Sequence, residues 1–281
     1  MKISEITSCY IGPQISPEQF IPEHFFLYLG KGSMIGFDGT KELTLNAGDY
    51  CMACKNHLAR YNKQKDEDQF EKVVVIFDEP FLREFKKKHA VADIVPKPHD
   101  AFIALKKHEL IPNFVVSLMP YYSRGGQIDD AFANVKREEL LLILIKTNPE
   151  IVSVLFDFGI PEKIDLEAYM NRNYKFNVSL ERFAYLTGRS LSSFKRDFKQ
   201  IFRESPSRWL TKRRLQEAHF LILKKARKPV DFYLDLGFED LSHFSFAFKK
   251  EFGYSPSELV VEYIKSNKHF YKSSQTISET L

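Results

Sequence analysis

Two segments near the end of the chain carry the same pattern of aromatic and polar positions. Residues 190–207 (SLSSFKRDFKQIFRESPS) and 240–257 (DLSHFSFAFKKEFGYSPS) are identical at nine of 18 aligned positions and lie 50 residues apart. In both segments phenylalanines recur every four residues, a spacing that places side chains on one face of a helix. A repeat of this kind predicts one supersecondary unit that is used twice.

The polar positions of the first copy lie on the opposite face of the predicted helix. At 100° per residue they fall within an arc of about 100°, and they are Ser192, Lys195, Arg196, Lys199 and Arg203. Ser190 suits the N-cap of this helix. The preceding run VSLERFAYLTG predicts a shorter helix that ends in a turn at Thr187-Gly188. A helix, a short turn with glycine and a helix with a cationic face are typical of a helix-turn-helix.

The second copy predicts the same architecture with a different outward face. Asp240 takes the N-cap place, and VDFYLDLGF is interpreted as the partner helix and its turn at Gly237. The outward positions of the second predicted helix are Ser242, Ser245, Phe246 and Lys249. Between the copies, residues 205–225 predict one long helix. Such a helix would fix the separation of two recognition helices, which must lie about 34 Å apart to contact one face of DNA.

Charge is concentrated in this part of the chain. Residues 163–265 contain 20 Lys and Arg against 13 Asp and Glu, a net charge of +7, whereas the whole chain has a net charge of +4. A surface that binds phosphates requires such an excess of cations. The repeated region therefore favours nucleic-acid binding.

Three stretches together are similar to a known family. They are GFEDLSHFSFAFKKEFGYSPSEL (237–259), SFKRDFKQIF followed by SPSRWL (193–210), and RLQEAHFLI (214–222). They resemble the DNA-binding domain of the AraC/XylS family of bacterial transcription regulators. The resemblance implies an all-α domain with two helix-turn-helix units at 161–265, double-stranded DNA as partner, and activation, with RNA polymerase as a further partner.

Site residues follow from the predicted helix faces. We expect Arg196 to contact a base, namely guanine through its O6 and N7 atoms, with Ser192 and Lys195 beside it. An alternative is that Arg196 forms a surface salt bridge with Asp197 or Glu204. Phosphate contacts, which position a protein without specifying sequence, are expected from Lys199, Lys249 and Arg214. The remaining DNA-binding candidates are Ser242, His243, Ser245 and Phe246.

Two positions depart from the pattern of the family. Phe246 stands where the family usually has arginine, and Tyr233 stands where it usually has a small residue. The first departure weakens the case for guanine recognition by the second helix. A phenylalanine there could contact a thymine methyl group, or the second unit could mainly hold phosphates.

Residues 20–80 alternate between short apolar runs and turn residues. This pattern predicts an antiparallel barrel or sandwich. The run LNAGDY (45–50) resembles a strand–turn–strand element of cupin-like sensor domains, so we interpret 1–160 as a cupin-like sensor domain. The aromatic residues of these strands either line a ligand pocket or form the core, and the pocket candidates are Phe25, Tyr28, Phe37 and Tyr50.

The region after the predicted strands is interpreted as helical. The run IDDAFANVKREELLLILIKTNPEIVSVLFDF predicts two helices that are broken at Asn148-Pro149. Residues 140–145 are apolar on all sides, so they must be buried in the domain or against a second subunit. Helices at this place in the resembling family commonly mediate dimerisation, and a homodimer is our hypothesis. The linker is expected at 159–163, and 266–281 is a polar tail.

Composition narrows the class of protein further. No apolar run approaches 18 residues and no signal-peptide core precedes the strands, so we expect a cytoplasmic protein without a membrane span. Cys51 and Cys54 form a CxxC, but residues three apart on a strand point to opposite faces. We therefore expect no metal, no cofactor and no catalytic site. The alternatives are a regulator controlled by a protein partner instead of a small effector, and a cupin-type enzyme with a DNA-binding tail.

Overall fold

The computed structural model describes residues 6–11, 19–66, 69–92, 95, 97–121, 128, 130–225 and 227–261, with side chains for all of these except 6–11 and 130. The polar tail expected at 266–281 lies outside this part of the chain. Contacts divide the chain into two units, Met1–Pro161 and Glu162–Leu281, which are described separately.

The first unit contains three sheets. The largest has the strand order β1-β9-β3-β6-β10, in which β1 runs parallel to β9 and the other neighbours are antiparallel. A three-stranded antiparallel sheet has the order β5-β4-β8, and β2 pairs with β7. The strands are β1 (Ile6–Ile11), β2 (Phe20–Ile21), β3 (His24–Lys31), β4 (Ser33–Phe37), β5 (Glu42–Asn46), β6 (Tyr50–Ala53), β7 (His57–Leu58), β8 (Arg60–Gln64), β9 (Phe70–Phe77) and β10 (Phe102–Ala104).

The large sheet buries both of its faces. Because side chains alternate along a strand, Phe25 and Leu27 of β3 face one hydrophobic cluster while Phe26 of β3 faces another. The first cluster includes Met34 and Leu45 of the smaller sheet, and the second includes residues from helices. These helices are α1 (Glu79–Lys88), α2 (Leu110–Leu118), α3 (Asp130–Thr147) and α4 (Val152–Leu155), with a 3-10 turn at Pro149–Ile151.

The helical break predicted at Asn148-Pro149 follows from local chemistry. Asn148 is buried, its Oδ1 accepts a hydrogen bond from the backbone N of Lys106, and its Nδ2 donates to Thr147. Pro149 then begins a 3-10 turn, as its missing N–H allows at a helix start. Of the apolar run before it, Leu140, Leu141 and Leu144 are buried within the unit.

The described residues of the second unit form helices joined by turns and loops, with no strand among them. It consists of α5 (Leu166–Asn173), α6 (Leu180–Leu186), α7 (Leu191–Phe202), α8 (Pro206–Lys225) and α9 (Leu241–Phe252), followed by a helical segment at 256–261. Antiparallel sheets in the first unit followed by a helical second unit confirm the predicted α+β fold class. No helix in the described part of the chain is long and apolar enough to cross a membrane.

One predicted element is different in the structure. The segment VDFYLDLGF was expected to form a helix, but it forms two 3-10 turns, Pro229–Asp231 and Leu234–Leu236. Phe232 between them has φ −145°, which is far from helical geometry and interrupts the segment. Phe232 and Leu236 are nevertheless buried, so the segment packs where the partner helix was expected without being a regular helix.

Two aromatic side chains of α8 pack against the buried rings of α7 and α9. Trp209 lies with its ring centroid 5.5 Å from Phe198 and 4.5 Å from Phe202 of α7. Ten residues later, His219 lies 4.7 Å from Phe252 of α9. The long helix thus packs Trp209 against α7 and His219 against α9.

Candidate nucleic-acid interface

The turn before α7 is fixed by its backbone requirements. Ser179 caps α6 by accepting a hydrogen bond from the N of Arg182, and buried Thr187 donates its hydroxyl to the carbonyls of Phe183 and Ala184. Gly188 has φ +63°, and a Cβ there would lie 2.3 Å from the carbonyl carbon of Glu162. Only glycine fits this position, and it sets the direction in which α7 leaves the turn.

The helix α7 separates an anchoring face from an exposed face. Phe194 and Phe198 are fully buried, and Ser190 caps the helix by accepting from the N of Ser193. The opposite face exposes Ser192, Lys195, Arg196 and Lys199. The structure therefore places these four site candidates together on one surface. Three cations on a single exposed face can neutralise phosphates and reach into a groove.

Arg196 is held beside an acidic neighbour. Its Nε and Nη2 lie 3.3 and 3.2 Å from Oδ1 of Asp197, and its side chain is 66% exposed. The salt bridge with Asp197 is thus present, whereas Glu204 contacts Lys212 instead. A hydrogen bond from Arg189 is the main cause that holds the pKa of Asp197 below its ordinary value, with further contributions from Arg196 and Lys163.

The helix α9 repeats the anchoring face and changes the exposed one. Phe244 and Phe248 are fully buried, and Asp240 caps the helix by accepting from the N of His243. Phe246 is 70% exposed. The other candidates of this helix are Ser242, His243 and Lys249, which are exposed, and Ser245, which is half-buried. A large apolar side chain therefore projects from the middle of this surface.

Arg214 on α8 was expected to contact a phosphate, but the structure holds its guanidinium against main-chain carbonyls instead. Its Nε donates to the carbonyl of Tyr174 at 2.7 Å, its Nη2 to that of Phe176 at 2.8 Å, and its Nη1 to that of Gly237 at 2.9 Å. Burial lowers the pKa of Arg214 to about 10. With all three nitrogens donating to main-chain carbonyls, this guanidinium links the segment after α5 to the turn before α9.

The four aromatic pocket candidates of the first unit do not line one pocket. Phe25 belongs to the cluster against the smaller sheet, whereas Tyr50 belongs to the cluster against the helices. Tyr28 stacks on Tyr50 at 6.4 Å, and Phe37 contacts Arg60 by a cation–π interaction at 5.2 Å. Since the large sheet separates the two clusters, the expectation of a common ligand pocket is corrected, and the interpretation as core is the better one for Phe25 and Tyr50.

The two cysteines of the CxxC also point to different clusters. Cys51 lies in the cluster against the smaller sheet and Cys54 in the cluster against the helices. Burial raises the pKa of Cys51 to about 12 and raises that of Cys54 as well, so both thiols stay protonated at neutral pH. Among the described side chains, no three His, Cys, Asp or Glu residues are placed to hold a metal ion together.

Sequence reasoning missed the buried contacts behind the exposed surface. Arg189 and the carbonyls that hold Arg214 belong to no periodic pattern, because most of their partners lie eight to 40 residues away along the chain. One available signal was the isolated charge of Arg189 in an otherwise uncharged turn before a recognition helix.

Two family models match the chain. The model described as ExsA N-terminal regulatory domain matches residues 24–154, and the model described as helix-turn-helix domain matches residues 183–260. The first match lies in the unit of sheets, and the second spans α7, α8 and α9.

Two curated relatives each match less than half of this chain. The chain is 32% identical over 123 residues to the virulence regulon transcriptional activator VirF of Yersinia enterocolitica, which covers 43% of this chain and 45% of VirF. It is 31% identical over 127 residues to the HTH-type transcriptional regulator ExsA of Pseudomonas aeruginosa, covering 44% and 46%. The matched stretch is thus less than half of each relative.

Solved structures give low overall superposition scores. ToxT from Vibrio cholerae aligns over 87% of this chain and 92% of its own, with 14% identity and a TM-score of 0.37. An AraC-type DNA-binding regulator from Chromobacterium violaceum aligns over 35% of this chain and 88% of its own, with 28% identity and a TM-score of 0.32.

Proposed function

Because this chain belongs to the AraC/XylS family of bacterial transcription regulators, we propose that it binds specific sites in duplex DNA and regulates transcription there. Its second unit supplies the DNA contacts, and the chain acts as a regulator and not as an enzyme. The observation that carries the proposal is the face of α7, where Lys195, Arg196 and Lys199 are exposed above two buried phenylalanines. Action on the chromosome implies a cytoplasmic location.

The exposed residues have different tasks in this proposal. Arg196 contacts the O6 and N7 atoms of a guanine, an interaction that contributes about 1–3 kcal/mol of discrimination, and Ser192 and Lys195 lie beside it. Lys199 and Lys249 contact phosphates, which position the protein without specifying sequence. On α9, Phe246 contacts a thymine methyl group or fills the groove, while Ser242, His243 and Ser245 contact backbone or adjacent bases.

Selection of bound duplexes from a random library tests this assignment. Full-length protein at physiological salt is expected to recover a site with one strong patch from α7 and a weaker or A·T-rich patch about ten base pairs away. Arg196→Ala should remove the preference at one base pair, whereas Lys199→Ala should weaken binding to all sequences about equally. Recovery of no preferred sequence, with normal folding, would contradict sequence-specific binding by the chain without an effector.

The first unit is proposed to regulate the second. Its match to an N-terminal regulatory domain supports that role. VirF of Yersinia enterocolitica is named a transcriptional activator, which supports activation as the direction of regulation, with RNA polymerase as the further partner that activation requires. Several apolar side chains on and after α2 and on α3 are exposed. In our proposal they form one apolar surface of this unit, which consists of Val116, Met119, Phe132, Val135 and Leu142.

A second copy of the chain is the occupant that we propose for this apolar surface. Phe132, Val135 and Leu142 follow one another at spacings of three and seven, so they fall on one side of α3. Exposed apolar patches of this kind mark protein contacts. Sedimentation should show a dimer that Val135→Lys and Phe132→Lys convert to a monomer, with the unfolding midpoint unchanged. A wild-type monomer would favour a different protein partner on this surface.

A small effector remains the second candidate for control of the first unit. A cleft of about 300 Å³ between α1 and α3 is lined by Phe81, Phe85, Asn134, Arg137 and Glu138, among others. Several of these polar groups already pair with neighbours, as Arg137 does with Asp78. Because these polar groups already pair with each other, we favour regulation by a protein partner instead of by a small effector bound in this cleft. A metabolite that raised the unfolding temperature of the protein would reverse that preference.

A further inference from the structure

Arg196 shares its carboxylate partner with a second, buried arginine. The Nε of Arg189 lies 3.2 Å from Oδ2 of Asp197, while Arg196 uses Oδ1 of the same group. The side chains of Arg189 and Asp197 are only 8% and 15% exposed. The Nζ of Lys163 lies 3.6 Å from Oδ2 on the outer side. The two oxygens of Asp197 therefore serve different arginines, one buried and one exposed.

Arg189 is in turn fixed by the main chain. Its Nη1 donates to the carbonyl of Ile164 at 3.0 Å and to that of Thr187 at 2.7 Å. Thr187 closes the turn between α6 and α7 of the first helix-turn-helix, and Ile164 precedes α5. The position of Asp197 thus depends on backbone atoms of the fold. This arrangement differs from an ordinary surface ion pair, in which both side chains move freely.

The orientation of the guanidinium leaves its base-contacting edge available. Asp197 binds the side edge of Arg196, which consists of Nε–H and one N–H of Nη2. The end edge, with one N–H on Nη1 and one on Nη2, is the fork that pairs with two acceptors at once. The O6 and N7 atoms of guanine are two such acceptors. Arg196 can therefore keep its contact with Asp197 while it binds a guanine.

The second helix-turn-helix lacks all three members of this arrangement. Fifty residues on, Arg189 corresponds to Glu239, Arg196 to Phe246 and Asp197 to Ala247, whereas the buried phenylalanines are the same. A carboxylate needed for folding the unit would be expected in both copies. Its presence only beside an exposed arginine indicates that it serves that arginine.

We propose that Asp197, held by Arg189, is a positioning residue that orients Arg196 toward one guanine and so raises sequence discrimination. The inference rests on the proposed base contact of Arg196. Preorganisation by supporting side chains lowers the entropy that Arg196 loses on binding. Since a pair of this exposure contributes modestly, loss of the orientation should reduce discrimination at one base pair about two- to fivefold.

Two substitutions separate position from charge. Asp197→Glu keeps the negative charge and moves the carboxylate by one methylene, so discrimination at one G·C pair should fall while affinity for random DNA stays unchanged. Asp197→Asn should also lower discrimination, and it should raise affinity for random DNA because one repulsive charge is removed. Glu204→Gln is the matched control, since it removes an acid paired with Lys212 in the same unit and should raise random affinity alone.

The experiment measures binding to the selected site and to a copy with the one G·C pair replaced, in both Arg196 and Arg196→Ala backgrounds. Asp197→Glu should lower the ratio of the affinity for the selected site to the affinity for the replaced copy only when Arg196 is present. An unchanged ratio for Asp197→Glu, or an equal loss in the Arg196→Ala background, would overturn the proposal. If Arg196→Ala itself kept the wild-type preference, the base contact would be wrong, which is a separate failure. Unfolding midpoints of each variant exclude loss of fold as the cause.

Discussion

The helices α7 and α9 bury phenylalanines at the same two positions but present different outward surfaces. In α7 the exposed centre is Arg196, with a carboxylate beside it; in α9 it is Phe246, with Ala247 beside it. The segments before them differ as well, since α6 is a regular helix and its counterpart is a pair of 3-10 turns. The comparison shows that the buried side of a recognition helix and its exposed side are constrained by different needs.

The difference has a chemical consequence for DNA recognition. An arginine fork distinguishes guanine through two hydrogen bonds, whereas a phenylalanine offers only van der Waals contact with a methyl group or a sugar. We therefore expect the first helix-turn-helix to contribute most of the specificity. The second helix-turn-helix would contribute affinity, orientation and at most a preference for thymine.

The largest expected effect tests whether the equivalent buried phenylalanines are equally important in the two helix-turn-helix copies. Phe198→Ala and Phe248→Ala each remove a fully buried ring, which typically costs about 3–5 kcal/mol of unfolding free energy. Denaturation followed by the fluorescence of the single tryptophan, Trp209, reports on the first helix-turn-helix. Ile201→Ala, at an exposed position of α7, is the control and should have little effect. A small loss of unfolding free energy for Phe248→Ala alone would show that the second helix-turn-helix is loosely packed.

The next effect tests the contacts of Arg214, which link the segment after α5 to the turn before α9 within the second unit. Arg214→Met leaves three carbonyls without their donor, and one buried acceptor left unsatisfied costs about 1–3 kcal/mol. We expect a lower unfolding midpoint in urea and an unchanged salt dependence of DNA binding for the folded fraction. Arg214→Lys keeps the charge but cannot donate to all three carbonyls with the same geometry, so it should not restore stability. Restoration of full binding by lysine would instead support a phosphate contact.

A smaller effect tests the outward surfaces directly. Phe246→Arg should create a preference for guanine at one new base pair, with about 1–3 kcal/mol of discrimination. Adding Ala247→Asp should sharpen that preference, because it recreates the carboxylate of Asp197 in the first helix-turn-helix. Library selection measures both. Lys249→Ala is the control: it should weaken all sequences alike and reduce the slope of log K against log salt by about 0.9. No new preference would show that position 246 does not face bases.

The smallest effect uses the different aromatic contacts of α8. His219 packs on Phe252, its Nε2 lies 2.8 Å from the hydroxyl of Tyr254, and burial lowers its pKa. Its neutral form is favoured in the folded state, so stability is present above the unfolded value of about 6.5 and falls as pH drops below it. Hydrogen exchange should show α9 losing protection on acidification before α7. The α8 residue that packs on α7 is Trp209, which does not titrate. His219→Phe should abolish the difference; persistence would assign it to another group.

Periodicity in the sequence accounted for much of the second unit. The spacing of Phe194 and Phe198, the caps Ser190 and Asp240 and the exposed cations of α7 were all predicted, because each depends only on neighbours within one helix. Strands of the first unit were predicted for the same reason, since alternation at Phe25 to Tyr28 is local. The division of that alternation between two separate clusters was not predicted, and it corrected the supposed ligand pocket.

By itself, the sequence determined that a helix-turn-helix is repeated, which faces its helices bury and which unit carries the cationic surface. Tertiary structure alone decided that Arg214 holds carbonyls instead of phosphates and that Arg189 fixes Asp197 beneath Arg196. The physical reason is the range of the interactions. Helix faces and caps arise from residues three or four apart, whereas the partner of a buried charge is chosen by the packing of segments that are distant in the chain.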